Sequence, residues 1–271
     1  MNIDTDELKS FLEELRLRYG YDFTDYAEAS LRRRIQHFMT TRNIAGIGVL
    51  EQALLHDEKF FEEFIQNFTV TVTDMFRDPT FFSSLRQNVL GRLATYPVIK
   101  IWIAGCATGE EIYSIAILLK EEGLLQRSLL YGTDLNQHSL QVAKAGVYPL
   151  ERMKAWTAGY QQSGGKRDFS SYYTAKFDAV MFDKSLRQNM VFSPHNLAAD
   201  KSFNEFQLIL CRNVLIYFNQ QLQNRAIRLF YESLCPFGFL ALGNKESLLF
   251  SDVQDRFTDI DRREKIFRKK N

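Results

Sequence analysis

A turn bounded by two glycines carries the clearest chemical signal in this chain. It reads Ala104-Gly105-Cys106-Ala107-Thr108-Gly109-Glu110-Glu111 and follows the apolar run Ile99–Ile103. Gly105 and Gly109 let the backbone bend sharply and approach a ligand closely. The helix expected from Glu110 offers unpaired N–H groups at its first turn. A second run, Ser128 to Thr133, ends on Asp134, and an acid at a strand end commonly accepts ribose hydroxyls. No phosphate-binding Lys follows the turn, so it is not a P-loop. These features suit a nucleoside ligand without a strict need for phosphate. They do not separate S-adenosylmethionine from a dinucleotide. The turn also fits a tight strand-to-helix connection that binds nothing, and Glu110 also fits an acid placed at a helix start by the dipole.

Other chemistries find little support. Cys106, Cys211 and Cys235 are odd in number and lack Cys-x-x-Cys spacing, which argues against a disulfide framework or a zinc site. All three adjoin apolar runs and read as buried reduced thiols. The four histidines show no metal-ligand spacing, so no metal is expected. Lys and Arg total 34 against 33 Asp and Glu, a balance that gives no global pull toward nucleic acid or anionic membrane. Asp4, Asp6 and Glu7 interrupt any signal-peptide pattern, and no apolar run is long enough to span a bilayer. A cytoplasmic protein is expected.

The elements that must position the turn follow from periodicity. Leu8, Phe11, Leu12 and Leu15 make one helical stripe, opened by Asp4 with Glu7 and closed by Gly20. Further helices are expected from about Asp25 to Thr40 and across Phe60–Phe68, with no convincing strand before about residue 98. From there strands and helices alternate. The strands are Ile99–Gly105, Ser128–Asp134 and Phe206–Cys211; the helices are Glu110–Glu122, Asn136–Ala145 and Gln220–Leu234. That alternation indicates βαβ units and a parallel sheet. Late strands are expected at Gly238–Gly243 and Glu264–Arg268. Tyr148 to His195 interrupts the pattern with a flexible Ser163-Gly164-Gly165 run and two short extended pieces, Phe177–Phe182 and Asn189–Phe192. The predicted fold is α/β: a Rossmann-like, doubly wound, mostly parallel sheet over residues 70–271, a small all-α domain over 1–69, and an inserted β subdomain over 148–195.

Five sequence blocks, in order, resemble the CheR-type family of chemotaxis-receptor glutamate methyltransferases. They are Thr71-Val72-Thr73-Asp74-Met75-Phe76-Arg77-Asp78-Pro79, then Ala104 through Ala116, then His195-Asn196-Leu197, then Cys211-Arg212-Asn213-Val214-Leu215-Ile216-Tyr217-Phe218, and finally Leu242-Gly243-Asn244-Lys245-Glu246 in the place of a Gly-His-Ser-Glu element. The similarity covers nearly the whole chain. It departs from the family at Thr71 (often Asn), Met75 (Phe), Ile112 (Pro) and Asn244 (His).

The resemblance implies S-adenosyl-L-methionine as cofactor, S-adenosyl-L-homocysteine as product, and no metal. It assigns Thr71, Thr73 and Arg77 to the cofactor, with Arg77 also facing the transferred methyl. Glu110 would lie near the cofactor's amino-acid end, Asp134 at the ribose, and Asn196 and Leu197 beside the adenine. Arg212 and Asn213 would line the site, and Tyr217 would stand near the methyl with Arg77. It implies that the helical domain presents basic residues to the acidic methylation helices of chemoreceptors. Arg32, Arg33 and Arg34 are the candidates, although consecutive residues fan around a helix and residues 1–70 hold only eight Lys/Arg against thirteen Asp/Glu. The implied reaction is methyl esterification of receptor glutamates by a monomer that neither enters the membrane nor binds nucleic acid. The alternatives are a methyltransferase of the same fold acting on another protein or a small molecule, and a non-catalytic cofactor-binding regulatory module. A nicotinamide oxidoreductase is disfavoured by the missing Gly-x-Gly-x-x-Gly spacing.

Overall fold

The computed structural model describes residues 3–68 and 73–271. Four helices come first: α1 (Thr5–Tyr19), α2 (Glu28–Thr41), α3 (Ile47–His56) and α4 (Glu58–Phe68). The start of α1 is the expected capping box. The Asp4 carboxylate accepts from the Asp6 N–H and Glu7 accepts from the Asp4 N–H, at 3.2 and 3.1 Å. Gly20 closes the helix in the left-handed region at φ 76°. Leu8, Phe11, Leu12 and Leu15 are buried against Leu31, Ile35 and Phe38 of α2 and Phe61, Phe64 and Phe68 of α4 in one apolar core. Sequence periodicity does not reveal α3. It is ten residues long, buries only Ile47, Leu50 and Leu54, and has no side-chain cap at Gly46.

Pro79 opens α5 (Pro79–Leu85), which continues through a π-helical turn at Arg86–Leu90 into α6 (Gly91–Leu93). The alternating part follows as β1 (Ile99–Ala104), α7 (Glu110–Glu121), β2 (Ser128–Asp134) and α8 (Gln137–Ala145). Next come β3 (Val147–Pro149), α9 (Met153–Gln162), β4 (Tyr173–Lys176), β5 (Ala179–Phe182), α10 (Lys184–Arg187) and β6 (Met190–Pro194). The chain ends with β7 (Phe206–Cys211), α11 (Gln220–Ser233), β8 (Leu234–Leu242), β9 (Phe257–Asp261) and β10 (Ile266–Lys269).

Seven strands form one sheet in the order β6-β2-β1-β7-β8-β10-β9. Its first five strands are parallel, and β10 runs antiparallel to both β8 and β9. This is the expected Rossmann-like, mostly parallel architecture. β1 and β7 are buried almost throughout, as strands covered by helices on both faces must be. After β2 the chain works outward to β6 and then returns to β7 on the far side of β1. The strand order therefore reverses between β1 and β7, where a doubly wound sheet opens its ligand crevice.

The insertion is narrower than its predicted span. β3, β5 and β4 make a separate antiparallel sheet. The second extended piece, however, becomes β6 and pairs in parallel with β2 from Leu130–Met190 to Asp134–Pro194. Ser163-Gly164-Gly165 ends α9, with Gly164 at φ 79°. Gly165 lies so close to Tyr160 that a Cβ there would meet its ring at 2.3 Å.

The helical bundle is joined to the sheet next to that crevice. The Ala27 N–H donates to the Tyr217 carbonyl and the Asn219 N–H to the Asp25 carbonyl, both at 2.9 Å. Between them Tyr26 and Phe218 form an antiparallel bridge and set their rings edge to face at 4.9 Å.

Candidate functional site

The β1–α7 turn is bent as its glycines suggest. Gly105, Ala107 and Gly109 all have positive φ (73, 46 and 96°). A Cβ on Gly105 would stand 2.5 Å from Val214 Cγ2, and one on Gly109 would stand 2.7 Å from the Ala143 Cβ. The turn therefore packs tightly against the loop after β7 and against α8. Asp134 secures it from β2, accepting from the Ala107 and Asn136 N–H groups at 2.8 Å each. Burial pushes the Asp134 carboxyl up, and the N–H groups of Asn136, Ala107 and Leu135 pull it back. A carboxylate has about four lone-pair sites, so acceptor capacity remains after these bonds.

The loop after β7 hangs on one acid. Glu246 accepts from the N–H groups of Gly243, Leu215, Val214 and Asn213 at 2.6, 2.7, 2.8 and 3.1 Å. Burial pushes its carboxyl up against these same four bonds. Asn213 sits at φ 62°, a region Asn tolerates better than most residues. Gly243 passes so close that a Cβ would meet the Asn213 N and Glu246 Oε2 at 2.8 Å. The last block of the resemblance thus works through Glu246, to which sequence reasoning gave no role.

Arg212 is buried. It pairs with Asp78 at 2.8 Å and Glu111 at 2.6 Å and lies over the Phe81 ring at 3.9 Å. It clamps the start of α5 to α7 and the end of β7. Its carboxylate partners, Asp78 and Glu111, lie inside quoted blocks, but their pairing spans more than a hundred residues and is invisible locally.

A single cleft gathers most of the expected residues. Its walls include Thr73, Arg77, Gly105, Asp134, Asn196, Leu197, Arg212, Asn213 and Tyr217. Thr71 lies outside the described residues. Glu110 is not part of the wall. It is buried and accepts from the Thr108 hydroxyl at 2.7 Å, and its neighbour Glu111 lines the cleft instead. Burial pushes the Glu110 carboxyl up to about 7, against the lowering pull of Thr108. Cys106 also lines the cleft, and burial pushes its thiol well up, so it stays a protonated wall residue.

The three arginines of α2 separate. Arg32 pairs with Glu28 and donates to the Ile3 carbonyl and the Thr5 hydroxyl, which ties α2 to the start of α1. Arg33 is exposed. Arg34 alone reaches the cleft, donating to the Phe68 carbonyl at 2.9 Å and stacking over the Tyr217 ring at 4.5 Å. The expected basic patch is therefore one structural, one solvated and one cleft-lining residue.

The segment bearing Thr73 and Arg77 is held in an unusual backbone. Phe76 and Asp78 have φ of 50 and 59° without being glycine, a conformation that costs about 1–3 kcal/mol and persists only where the surroundings impose it. The Phe76 N–H donates to the Ser114 hydroxyl at 2.9 Å, and Arg212 holds Asp78.

Comparison with known proteins agrees with this geometry. The family described as CheR methyltransferase, all-alpha domain, matches residues 6–69, and CheR methyltransferase, SAM binding domain, matches residues 71–266. A putative methyltransferase Cher3 of Pseudomonas putida is 49% identical over 97% of this chain and 96% of its own length. The chemotaxis protein methyltransferase of Escherichia coli is 32% identical over 73% of this chain and 68% of its own. That of Listeria monocytogenes is 29% identical over 88% and 89%. The chain is thus a methyltransferase that uses S-adenosylmethionine and yields S-adenosylhomocysteine. It belongs to the CheR methyltransferase family. Among the described residues no helix is long and apolar enough to cross a membrane, and no His, Cys, Asp and Glu group is arranged to hold a metal.

The cleft fits the cofactor. Gly105 presents bare backbone, Asp134 retains acceptor capacity, and Leu135 and Leu197 give apolar wall beside the polar groups Thr73, Glu111 and Asn196.

Proposed function

We propose that this protein esterifies glutamate side chains on the cytoplasmic methylation helices of chemoreceptors, and that it works in the cytoplasm. The observation that carries the reading is Arg34. The helical domain, which is no part of the Rossmann-like sheet, places one cation over Tyr217 in the wall of the cofactor cleft. A carboxylate acceptor arriving there would meet Arg34 and Arg77. Kinship to named chemotaxis protein methyltransferases supports the same acceptor.

Asp134 would hold the ribose, Asn196 and Leu197 the base, and Thr73 and Glu111 the polar end of the cofactor. Bound S-adenosylmethionine supplies an electrophilic methyl on a sulfonium. A glutamate is ionised near neutral pH, so its oxygen attacks without a general base. Arg77 and Arg34 orient that carboxylate, and Tyr217 forms the wall beside the methyl. Alignment of nucleophile, methyl and leaving sulfur is then the main contribution to rate.

The test is incubation of receptor cytoplasmic fragments with methyl-labelled cofactor. Alkali-labile label on the receptor is expected. Alkali-stable label, or label only on small molecules, would support a different acceptor. Cofactor binding with no transfer to any receptor would support a regulatory module.

A further inference from the structure

We infer that Trp156, on α9 of the insertion, is a positioning residue for the cofactor cleft, acting through its indole N–H bond to Asp74. The Asp74 Oδ1 accepts from Trp156 Nε1 at 2.9 Å and from Arg152 at 3.0 Å, and Asp74 itself lines the cleft. It stands directly after Thr73 and three residues before Arg77. Trp156 is buried, with Tyr148 edge to face against it at 5.3 Å, so its N–H is aimed by packing.

The insertion grips the rest of the segment as well. Phe76 packs edge to face on Tyr160 at 5.3 Å and on Phe169 at 6.1 Å. Gly159 lies where a Cβ would come within 3.4 Å of Phe76 and 3.5 Å of the Met75 carbonyl. In turn Tyr160 and Tyr172 both donate to the buried Glu121 on α7, which fixes the insertion to the main core. The left-handed backbone at Phe76 is one that a bulky residue rarely adopts unaided. The insertion therefore supplies part of the restraint that keeps Thr73 and Arg77 at the cleft, and it is not merely an appendage beside the site.

The inference rests on the reading that Thr73, next to Asp74, serves the cofactor, but it does not depend on which acceptor is methylated. Its test is a double-mutant cycle on the full chain, read by calorimetric binding of S-adenosylhomocysteine, which needs no acceptor. Trp156→Phe keeps an aromatic ring and removes the N–H. Asp74→Ala removes a half-exposed acceptor and leaves the core intact. Each is expected to weaken binding about tenfold, the scale of a hydrogen bond to a charged group. The double variant is expected to bind no more weakly than either single one. Wild-type affinity in Asp74→Ala, or losses that multiply in the double variant, would overturn the inference. If Trp156→Phe does not fold, wild-type affinity in Asp74→Ala still overturns the inference, and so does a loss in Arg152→Ala as large as that in Asp74→Ala, since Arg152→Ala leaves the indole bond in place. Wild-type binding without receptor methylation would refute the glutamate reading and leave this inference standing.

Discussion

Two walls of the cleft are held by different means. The strand-end wall is fixed through backbone: Asp134 grips the β1–α7 turn and Glu246 grips the loop after β7, each by several N–H groups. Gly105 and Gly243 leave no room for a side chain. The side-chain wall is assembled from elements far apart in sequence. Arg34 comes from α2, Arg77 from a backbone with non-glycine residues at positive φ, and Tyr217 from a loop bonded to the helical bundle. On the proposed reading the first wall is the cradle for the cofactor, a ligand common to many proteins. The second can be retuned by single side chains, which suits the part of a methyltransferase that selects its acceptor.

Breaking the first wall should have the largest effect. Gly105→Ala combines a strained positive φ with a clash at Val214. It is expected to cost about 2–4 kcal/mol in denaturant unfolding and to remove cofactor binding. Breaking the second wall should spare stability. Arg77→Ala is expected to lower kcat/KM about a hundredfold, an electrostatic loss of familiar size, while the melting temperature stays near wild type. Equal losses of both would make Arg77 structural.

Glu110 sharpens the contrast through pH. Its carboxyl is pushed up from an ordinary 4.5 to about 7 by burial, so the folded state binds the proton more tightly than the unfolded chain. This group therefore makes stability fall as pH rises from about 4.5 to about 7, on the order of 3 kcal/mol in all. Glu110→Gln should lose that slope and be the more stable protein above pH 7 in urea titrations. A slope unchanged by the substitution would show that Glu110 ionises freely. The smallest effect is expected from Arg34→Ala. It should raise KM for the receptor about tenfold, as loss of one charged contact does, with S-adenosylhomocysteine affinity little changed. A fall in cofactor affinity instead would move Arg34 from acceptor to cofactor.

The same division explains what the sequence made legible. β2 and β7 begin and end at their predicted residues, because their apolar runs are closed by local polar residues, Asp134 at the end of β2 and Arg212-Asn213 just after β7. The capping box of α1 is likewise local. Short elements without such marks were missed, as α3 and β9 show. β6 read as part of the insertion because only its pairing with β2 assigns it to the main sheet. Within the site, Gly105, Asp134 and Asn213 were visible as motif residues. The clamp of Arg212 on Asp78 and Glu111 and the four N–H bonds of Glu246 were not, since each joins segments that only the fold brings together. The sequence implies that Arg32, Arg33 and Arg34 fan around the helix, but not which of them faces the cleft. Their different fates follow from the rotation of about 100° per helical residue.

The most direct test of the central claim is mass-spectrometric mapping of receptor cytoplasmic fragments after incubation with S-adenosylmethionine and this protein. Methyl groups are expected on glutamate side chains, removable by alkali and lost with Arg77→Ala. Methyl groups found on nitrogen side chains, or receptor fragments left unmodified while another acceptor is methylated, would contradict it.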